Sequence, residues 1–122
     1  MAKLSAHFDS SEFRCKCCNQ LPESGINPDL IELLEEIRRA LAKPLIITSG
    51  YRCEPHNREC GGKPKSQHML GNAADIHISG VSASQLWTFL DRNFQSRCKG
   101  LGKYPSFVHV DVREGTPARW VG

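Results

Sequence analysis

The 122-residue chain lacks long apolar runs and dense clusters of positive charge. No stretch approaches the ~18 consecutive apolar residues of a membrane-spanning helix, so we expect no insertion into a membrane. Residues 1–13 contain one lysine and no apolar run of about seven residues, and we therefore expect no signal peptide. Basic runs of roughly 5–8 residues are missing too, and the net charge is only +3, which argues against a nucleic-acid partner.

Internal repeats and low-complexity tracts are also missing. A chain of this length, with 39% apolar and 24% charged residues, suits one domain with one modest core. We expect a single domain over residues 1–122, in which a polar, turn-rich lead-in (1–28) wraps on a core (29–122). We further expect a monomer.

Cysteine is abundant for this length, with six residues: Cys15, Cys17, Cys18, Cys53, Cys60 and Cys98. The even number suits three disulfides, whereas the missing export signal favours a reducing compartment. The Cys-x-Cys-Cys spacing at 15–18 differs from the Cys-x2-Cys of an ordinary zinc knuckle, so a structural metal is the less favoured interpretation there. Cys53 and Cys60 flank a loop in which they form either a disulfide or two buried free thiols.

Apolar periodicity predicts an α+β domain with a mainly antiparallel sheet and two main helices. The candidate ligands described below add to this fold a zinc site in a cleft on the sheet. Leucine and isoleucine recur at helical spacing over 29–42, and "SASQLWTFLDRNF" predicts a second helix capped by Ser82. The predicted strands are "LIITS", "AADIHI", "SFVHVDVRE" and "ARWV". Residues 50–73 form a long loop rich in glycine and proline, and loops of that length are usually functional.

Three separated residues, His68, Asp75 and His109, could supply two nitrogen ligands and one oxygen ligand. Three protein ligands with one open position are typical of a catalytic zinc site. In "FVHVDV" the alternation of a strand places His109 and Asp111 on one face and the valines on the other. A histidine and a carboxylate so placed suit a ligand with its orienting group or base, although a polar exposed sheet face gives the same pattern.

Three motifs stand in the order of a known family: Ser49-Gly50-Tyr51-Arg52, Ser66-x-His68-x-x-Gly71-x-Ala73-x-Asp75 and Phe107-Val108-His109-Val110-Asp111. Over roughly residues 28–121 the chain resembles the zinc D-alanyl-D-alanine carboxypeptidases and endopeptidases of peptidase family M15, which trim bacterial peptidoglycan and include phage endolysins. The resemblance implies a Zn²⁺ cofactor held by His68, Asp75 and His109, and peptidoglycan peptides as the partner. It implies attack by a zinc-bound water, with D-alanyl bonds as the expected target.

The resemblance also assigns roles around the metal. Arg52 matches an arginine that helps to bind substrate and serves catalysis, and its alternative is a surface salt bridge. Ser66, Gln67 and His77 are candidate substrate-binding residues, although His77 also suits a half-buried histidine bonded to a backbone carbonyl. We interpret Tyr104 and Trp120 as packing residues.

The catalytic base departs from the family pattern. Better-known carboxypeptidases carry the catalytic acid three residues before the last zinc histidine, where this chain has Ser106. Asp111 is therefore the candidate base or ligand-orienting group. The missing acid leaves a second hypothesis open, a non-catalytic zinc-containing binding module of the same fold. For an enzyme without a signal peptide, we expect synthesis in the cytoplasm and action on the cell wall after release through a holin.

Overall fold

The computed structural model describes residues 3–59, 61 and 66–122. Its helices are α1 (Pro28–Leu41), α2 (Glu54–Glu59) and α3 (Ala83–Asn93), with 3₁₀ turns at Ser10–Phe13 and Gln67–Leu70. Its strands are β1 (Ile46–Ser49), β2 (Ala73–His77), β3 (Gly100–Lys103), β4 (Val108–Asp111) and β5 (Ala118–Val121).

The five strands form one sheet in the order β1-β2-β4-β3-β5. Every neighbouring pair is antiparallel except β3 and β5, which run parallel. The predicted α+β class with a mainly antiparallel sheet is therefore confirmed. Within the described ranges, none of the helices combines the length and apolar character needed to cross a lipid bilayer.

Both predicted helices form, and their ends follow from local capping. The Asn27 side chain caps α1 by accepting a hydrogen bond from the Asp29 N–H at 2.9 Å. Helix α1 begins at Pro28, and proline is tolerated there because an N–H at the first helical position would have no partner within the helix. Ser82 and Gln85 form a capping box at the start of α3. The apolar faces of both helices enter the core through the fully buried residues Leu30, Leu33, Leu34, Ile37, Leu86 and Leu90.

Two elements have no counterpart in the sequence prediction. Strand β3, "GLGK", carries two glycines and lacks the β-branched residues that mark the other strands. Helix α2 is only six residues long and lies inside the segment predicted to be a loop. Both were missed because short elements with weak propensity form only when neighbouring chain segments support them.

Residues of the predicted lead-in are buried in the main core. Phe8 and Phe13 are 1% and 0% exposed, and their ring centroids lie 6.3 Å apart. The backbone also joins this segment to the loop after β1, because the Tyr51 N–H donates to the Phe13 carbonyl at 2.9 Å. The alternatives of a Cys53–Cys60 disulfide or two free thiols stay untested, because Cys60 lies outside the described residues.

Candidate metal centre

His68, Asp75 and His109 arrive at one point from three elements. His68 lies in the 3₁₀ turn Gln67–Leu70, Asp75 in the middle of β2, and His109 in β4. Asp75 and His109 are direct partners in the antiparallel pairing of β2 with β4, which places their side chains side by side on one face of the sheet. The sheet register therefore fixes two of the three candidate ligands relative to each other.

The loop that carries His68 is held by its own polar side chains. Ser66 caps the 3₁₀ turn by accepting a hydrogen bond from the His68 N–H at 3.2 Å. Gly71 ends the turn in the left-handed region at φ 74°, which favours glycine. Gln67 accepts a hydrogen bond at Oε1 from the Asn72 side chain at 3.1 Å. Ser66 and Gln67 thus position His68, and their binding of substrate stays a prediction.

The three candidate ligand atoms form a nearly equilateral triangle. Asp75 Oδ1 lies 3.1 Å from His68 Nε2 and 3.3 Å from His109 Nδ1, and the two nitrogens are 3.2 Å apart. Zinc bonds of about 2.0–2.1 Å in tetrahedral geometry place ligand atoms about 3.3–3.4 Å apart. The residues are 1%, 7% and 7% exposed for His68, Asp75 and His109. The triangle fits a zinc-sized ion with little adjustment.

A second hydrogen bond orients each histidine ring. The Nδ1 of His68 lies 2.7 Å from the Gly50 carbonyl oxygen, and the Nε2 of His109 lies 2.6 Å from Asp111 Oδ2. When those nitrogens carry the proton and donate it, the opposite nitrogen of each ring turns its lone pair toward the triangle. Such outer hydrogen bonds are a general property of metal-binding histidines.

Asp111 is enclosed rather than open to substrate. Its side chain is 0% exposed, and Arg113 grips it with Nε 2.9 Å from Oδ1 and Nη2 2.7 Å from Oδ2. With His109 as its third partner, Asp111 has the surroundings of an orienting group, which favours that interpretation over the base. Arg113 was not predicted to belong to the site, and no periodic signal in the sequence marks it.

Electrostatics keep both carboxylates ionised. Burial raises the pKa of Asp75, but hydrogen bonds from His109 and His68 outweigh it and hold the pKa well below its usual range. The same balance, with His109 and Arg113 as donors, lowers the pKa of Asp111. Burial lowers the pKa of His68, whereas hydrogen bonds to Asp111 and Asp75 overcome burial and raise the pKa of His109. In the metal-free protein, a proton on His109 therefore competes with a metal ion.

Arg52 lies beside the triangle with an unused donor. Its Nη2 is 3.8 Å from Asp75 Oδ2, and its side chain is 12% exposed. The buried Nε has no hydrogen-bond partner among the described residues. An unpaired buried donor is costly, and the binding of substrate by Arg52 stays a prediction.

Aromatic rings border the other side of the centre. The Trp120 ring lies 5.0 Å from the His109 ring, and its Nε1 donates to the Tyr104 hydroxyl at 2.9 Å. Arg113 covers the same indole at 5.2 Å. Tyr104 in turn stacks on Phe107 with centroids 4.5 Å apart. The packing role predicted for Tyr104 and Trp120 is thus packing against the candidate centre itself.

The unpredicted strand β3 supplies the space that these groups occupy. A Cβ atom at Gly100 would overlap the Asp111 carboxylate, and one at Gly102 would lie 2.5 Å from the Trp120 indole. Gly100 and Gly102 lie on the same face of β3, and because they have no side chains they leave room for the Asp111 carboxylate and the Trp120 indole. The glycines of "GLG" explain why β3 was not predicted, and the same glycines leave the space in which the site forms.

His77 ends β2 two residues after Asp75 and pairs with Ile46 of the edge strand β1. It is half-buried. Among the described residues, the convergent group of ligand atoms contains His68, Asp75 and His109 and omits His77. Its contact with substrate stays a prediction.

Comparison with known proteins places the chain in a family. The model of the family described as peptidase M15 matches residues 6–111. The chain belongs to peptidase family M15. Among curated M15-like relatives, it is 33% identical over 129 aligned positions to the peptidoglycan L,D-endopeptidases MepK of Escherichia coli K12, Escherichia coli O157:H7 and Shigella flexneri. These alignments cover 98% of the chain but only 64% of each relative.

Proposed function

We propose that the chain is a zinc-dependent peptidase that cleaves peptide bonds in peptidoglycan. The observation that carries the proposal is the triangle of His68, Asp75 and His109, with edges of 3.1–3.3 Å, in a chain of the M15 family. The names of the MepK relatives support peptidoglycan as the substrate.

The three residues would hold the ion through His68 Nε2, Asp75 Oδ1 and His109 Nδ1. A bound zinc ion supplies Lewis-acid polarisation of the scissile carbonyl and brings the pKa of a water toward neutrality. Asp111 keeps His109 in the tautomer that faces the triangle, and Arg113 keeps Asp111 ionised and fixed. The Gly50 carbonyl keeps His68 in the tautomer that faces the triangle.

Arg52 is the proposed substrate-orienting group. Its unpaired Nε and its Nη2, 3.8 Å from Asp75, place positive charge next to the candidate ligands. A guanidinium there binds a carbonyl or carboxylate oxygen of the peptide and holds the adjacent bond at the centre. Trp120 offers a flat aromatic surface beside His109.

The proposed bond is an internal one, between an L- and a D-configured residue, because the relatives are named L,D-endopeptidases. The D-alanyl bond expected from sequence is the alternative. A carboxypeptidase would release single amino acids, whereas an endopeptidase would release two peptides. The masses of the products separate these possibilities.

The non-catalytic binding module is the second candidate function, and the observation that favours it is Ser106. This exposed residue occupies the position of the acid in better-known carboxypeptidases. A protein of this kind would bind the ion and the cell-wall peptide but leave the peptide intact.

The test is mass spectrometry of muropeptides of defined stereochemistry after incubation with the purified chain. We expect cleavage that stops when a chelator removes the metal and returns when Zn²⁺ is added. His68→Ala is expected to abolish cleavage, whereas His7→Ala, at a histidine that pairs with Glu35 outside the triangle, is the matched control. Full activity of His68→Ala would contradict the proposal, and bound zinc without cleavage of any muropeptide would decide for the binding module.

A further inference from the structure

Three cysteines converge at a second place in the fold. The Sγ atoms of Cys15, Cys18 and Cys53 all lie within 4.8 Å of one another. Cys15 is buried, Cys53 is half-buried and Cys18 is exposed. In the part of the chain that the structure describes, this group and the histidine–aspartate triangle are the two sets of three potential metal ligands.

The spacing of the sulfurs suits a metal ion better than a disulfide. Cys15 Sγ and Cys53 Sγ lie 3.6 Å apart. Two thiolates bound to a tetrahedral zinc at about 2.3 Å each are about 3.8 Å apart, whereas a disulfide brings its sulfurs to about 2.05 Å. The described cysteines, Cys15, Cys17, Cys18, Cys53 and Cys98, form no disulfide with one another.

The backbone around Cys15 is arranged for a negatively charged sulfur. The Cys53 N–H lies 3.4 Å from Cys15 Sγ, and the N–H groups of Cys17 and Cys18 also point to it. Thiolate is the form of cysteine that binds metal.

The sequence spacing also fits a zinc site when Cys15 and Cys18 are taken as the ligand pair. Cys15 and Cys18 stand at the two ends of a Cys-x2-Cys unit, and the exposed Cys17 lies inside it. The Cys-x-Cys-Cys spacing argued against a metal because Cys17 interrupts the pattern. Cys53 joins the pair from 35 residues farther along, through contacts that spacing alone does not reveal.

We propose that Cys15, Cys18 and Cys53 bind a second zinc ion as thiolates, separate from the ion at the His68 centre, with a fourth ligand completing the tetrahedron. Each thiol loses its proton when the ion binds. The class of ligand follows from the donors, because an all-sulfur set selects a soft or borderline metal over magnesium or calcium.

The location gives this ion a structural task. It would tie residues 15–18 to Cys53, which follows Arg52 directly. The same loop supplies the Gly50 carbonyl that orients His68, and its Tyr51 N–H is bonded to Phe13. The cysteine site would therefore hold in place the segment that serves the first centre. The inference does not depend on the proposed peptidase activity.

Cobalt substitution separates the two centres. We expect the reduced, metal-free chain to bind two Co²⁺ ions and to develop thiolate-to-cobalt charge-transfer absorption in the near ultraviolet. Cys53→Ser should bind one ion and lose that absorption, whereas His68→Ala should bind one ion and keep it. Cys98→Ala is the matched control, because this buried thiol lies outside the cluster, and it should behave like the unchanged chain.

A measurement on the unchanged chain guards against variants that fail to fold. Titrating the zinc-loaded protein with a mercurial that blocks thiols should release one zinc per chain, followed with a colorimetric zinc indicator, and leave the other bound. The proposal is overturned if the folded, reduced protein shows no charge-transfer absorption with Co²⁺ or if Cys53→Ser keeps it in full. A Cys15–Cys53 disulfide in protein isolated without oxygen would overturn it too.

Discussion

The two ligand clusters of this fold are built in opposite ways. The histidine–aspartate centre takes Asp75 and His109 from adjacent strands, and side chains such as Asp111 orient it. The cysteine cluster takes its ligands from a turn and a loop, and backbone N–H groups surround it. Mixed nitrogen and oxygen ligands beside an unpaired arginine donor suit catalysis, whereas an all-cysteine set with backbone N–H groups around it suits a structural role. The two clusters thus show that the role expected for a bound metal depends both on the ligand types and on the part of the fold that holds the ligands.

Deleting one ligand from the histidine–aspartate centre has the largest expected effect and tests whether the two centres are independent. His109→Ala removes one of its three ligands, so we expect muropeptide cleavage to fall to the level of chelated protein. The charge-transfer absorption of Co²⁺ at the cysteines should persist, because the two centres share no ligand. Loss of both signals together would mean that the centres are not independent.

Asp111→Asn tests the role of the orienting carboxylate. We expect zinc affinity or activity to fall about 10–100-fold, because an amide cannot fix His109 as the carboxylate does. Competition with a fluorescent zinc chelator, alongside kcat, provides the measurement. Unchanged zinc affinity with kcat lost would instead identify Asp111 as the proton acceptor. Glu114→Gln, at an exposed carboxylate three residues away, is the matched control.

Gly100→Ala tests the bare face of β3. A methyl group there overlaps the Asp111 carboxylate, so we expect a loss of unfolding free energy of up to about 3 kcal/mol and weaker zinc binding at the first centre. Urea denaturation and zinc competition measure the two effects. Gly115→Ala meets no atom within 4 Å, so its cost is limited to the strain of its φ of 87° and should leave zinc affinity unchanged.

Glu35 tests whether the N-terminal segment is held independently of either metal. It accepts hydrogen bonds from the Ser5 hydroxyl, from the His7 ring, whose Nδ1 lies 2.7 Å away, and from the His7 N–H at 2.8 Å. Burial raises the pKa of Glu35, but these bonds outweigh it and lower the pKa. The ionised group therefore adds stability above the unfolded pKa of about 4.3, and that stability is lost as pH falls through the lowered folded pKa.

Glu35→Gln should accordingly cost about 1–2 kcal/mol of unfolding free energy at pH 7, with or without chelator, and progressively less in acid. Urea denaturation at several pH values measures this difference. Glu32→Gln, one turn earlier and exposed, is the control. A cost for Glu35→Gln that appears only in metal-loaded protein would show that the segment depends on the ions.

Local rules recovered the elements with strong local signals. The leucine spacing and capping residues of α1 and α3, and the alternation in β4, are read from neighbours in sequence. The three candidate ligands followed from residue type and from the family resemblance. Strand β3 could not be predicted, because its glycines are required by the close approach of Asp111 and Trp120 on neighbouring strands and not by residues adjacent in sequence.

The cysteine cluster and Arg113 were missed for a related reason. Cys15 and Cys53 are 38 residues apart, and only the packing of the N-terminal segment against the loop after β1 brings them together. Arg113 follows the end of β4, and its grip on Asp111 depends on how the chain leaves the strand. Contacts of this kind belong to the tertiary structure and leave no periodic trace in the sequence.

The strand order has a consequence for how the first centre empties and refills. Asp75 and His109 lie on β2 and β4, neither of which is an edge of the five-stranded sheet. Separating the backbone positions that carry these two ligands requires opening the interior of the sheet, which in small domains is close to global unfolding. The metal-free centre therefore stays preorganised, and an ion can leave and return without a refolding step. Its amides should be among the slowest in the chain to exchange with solvent.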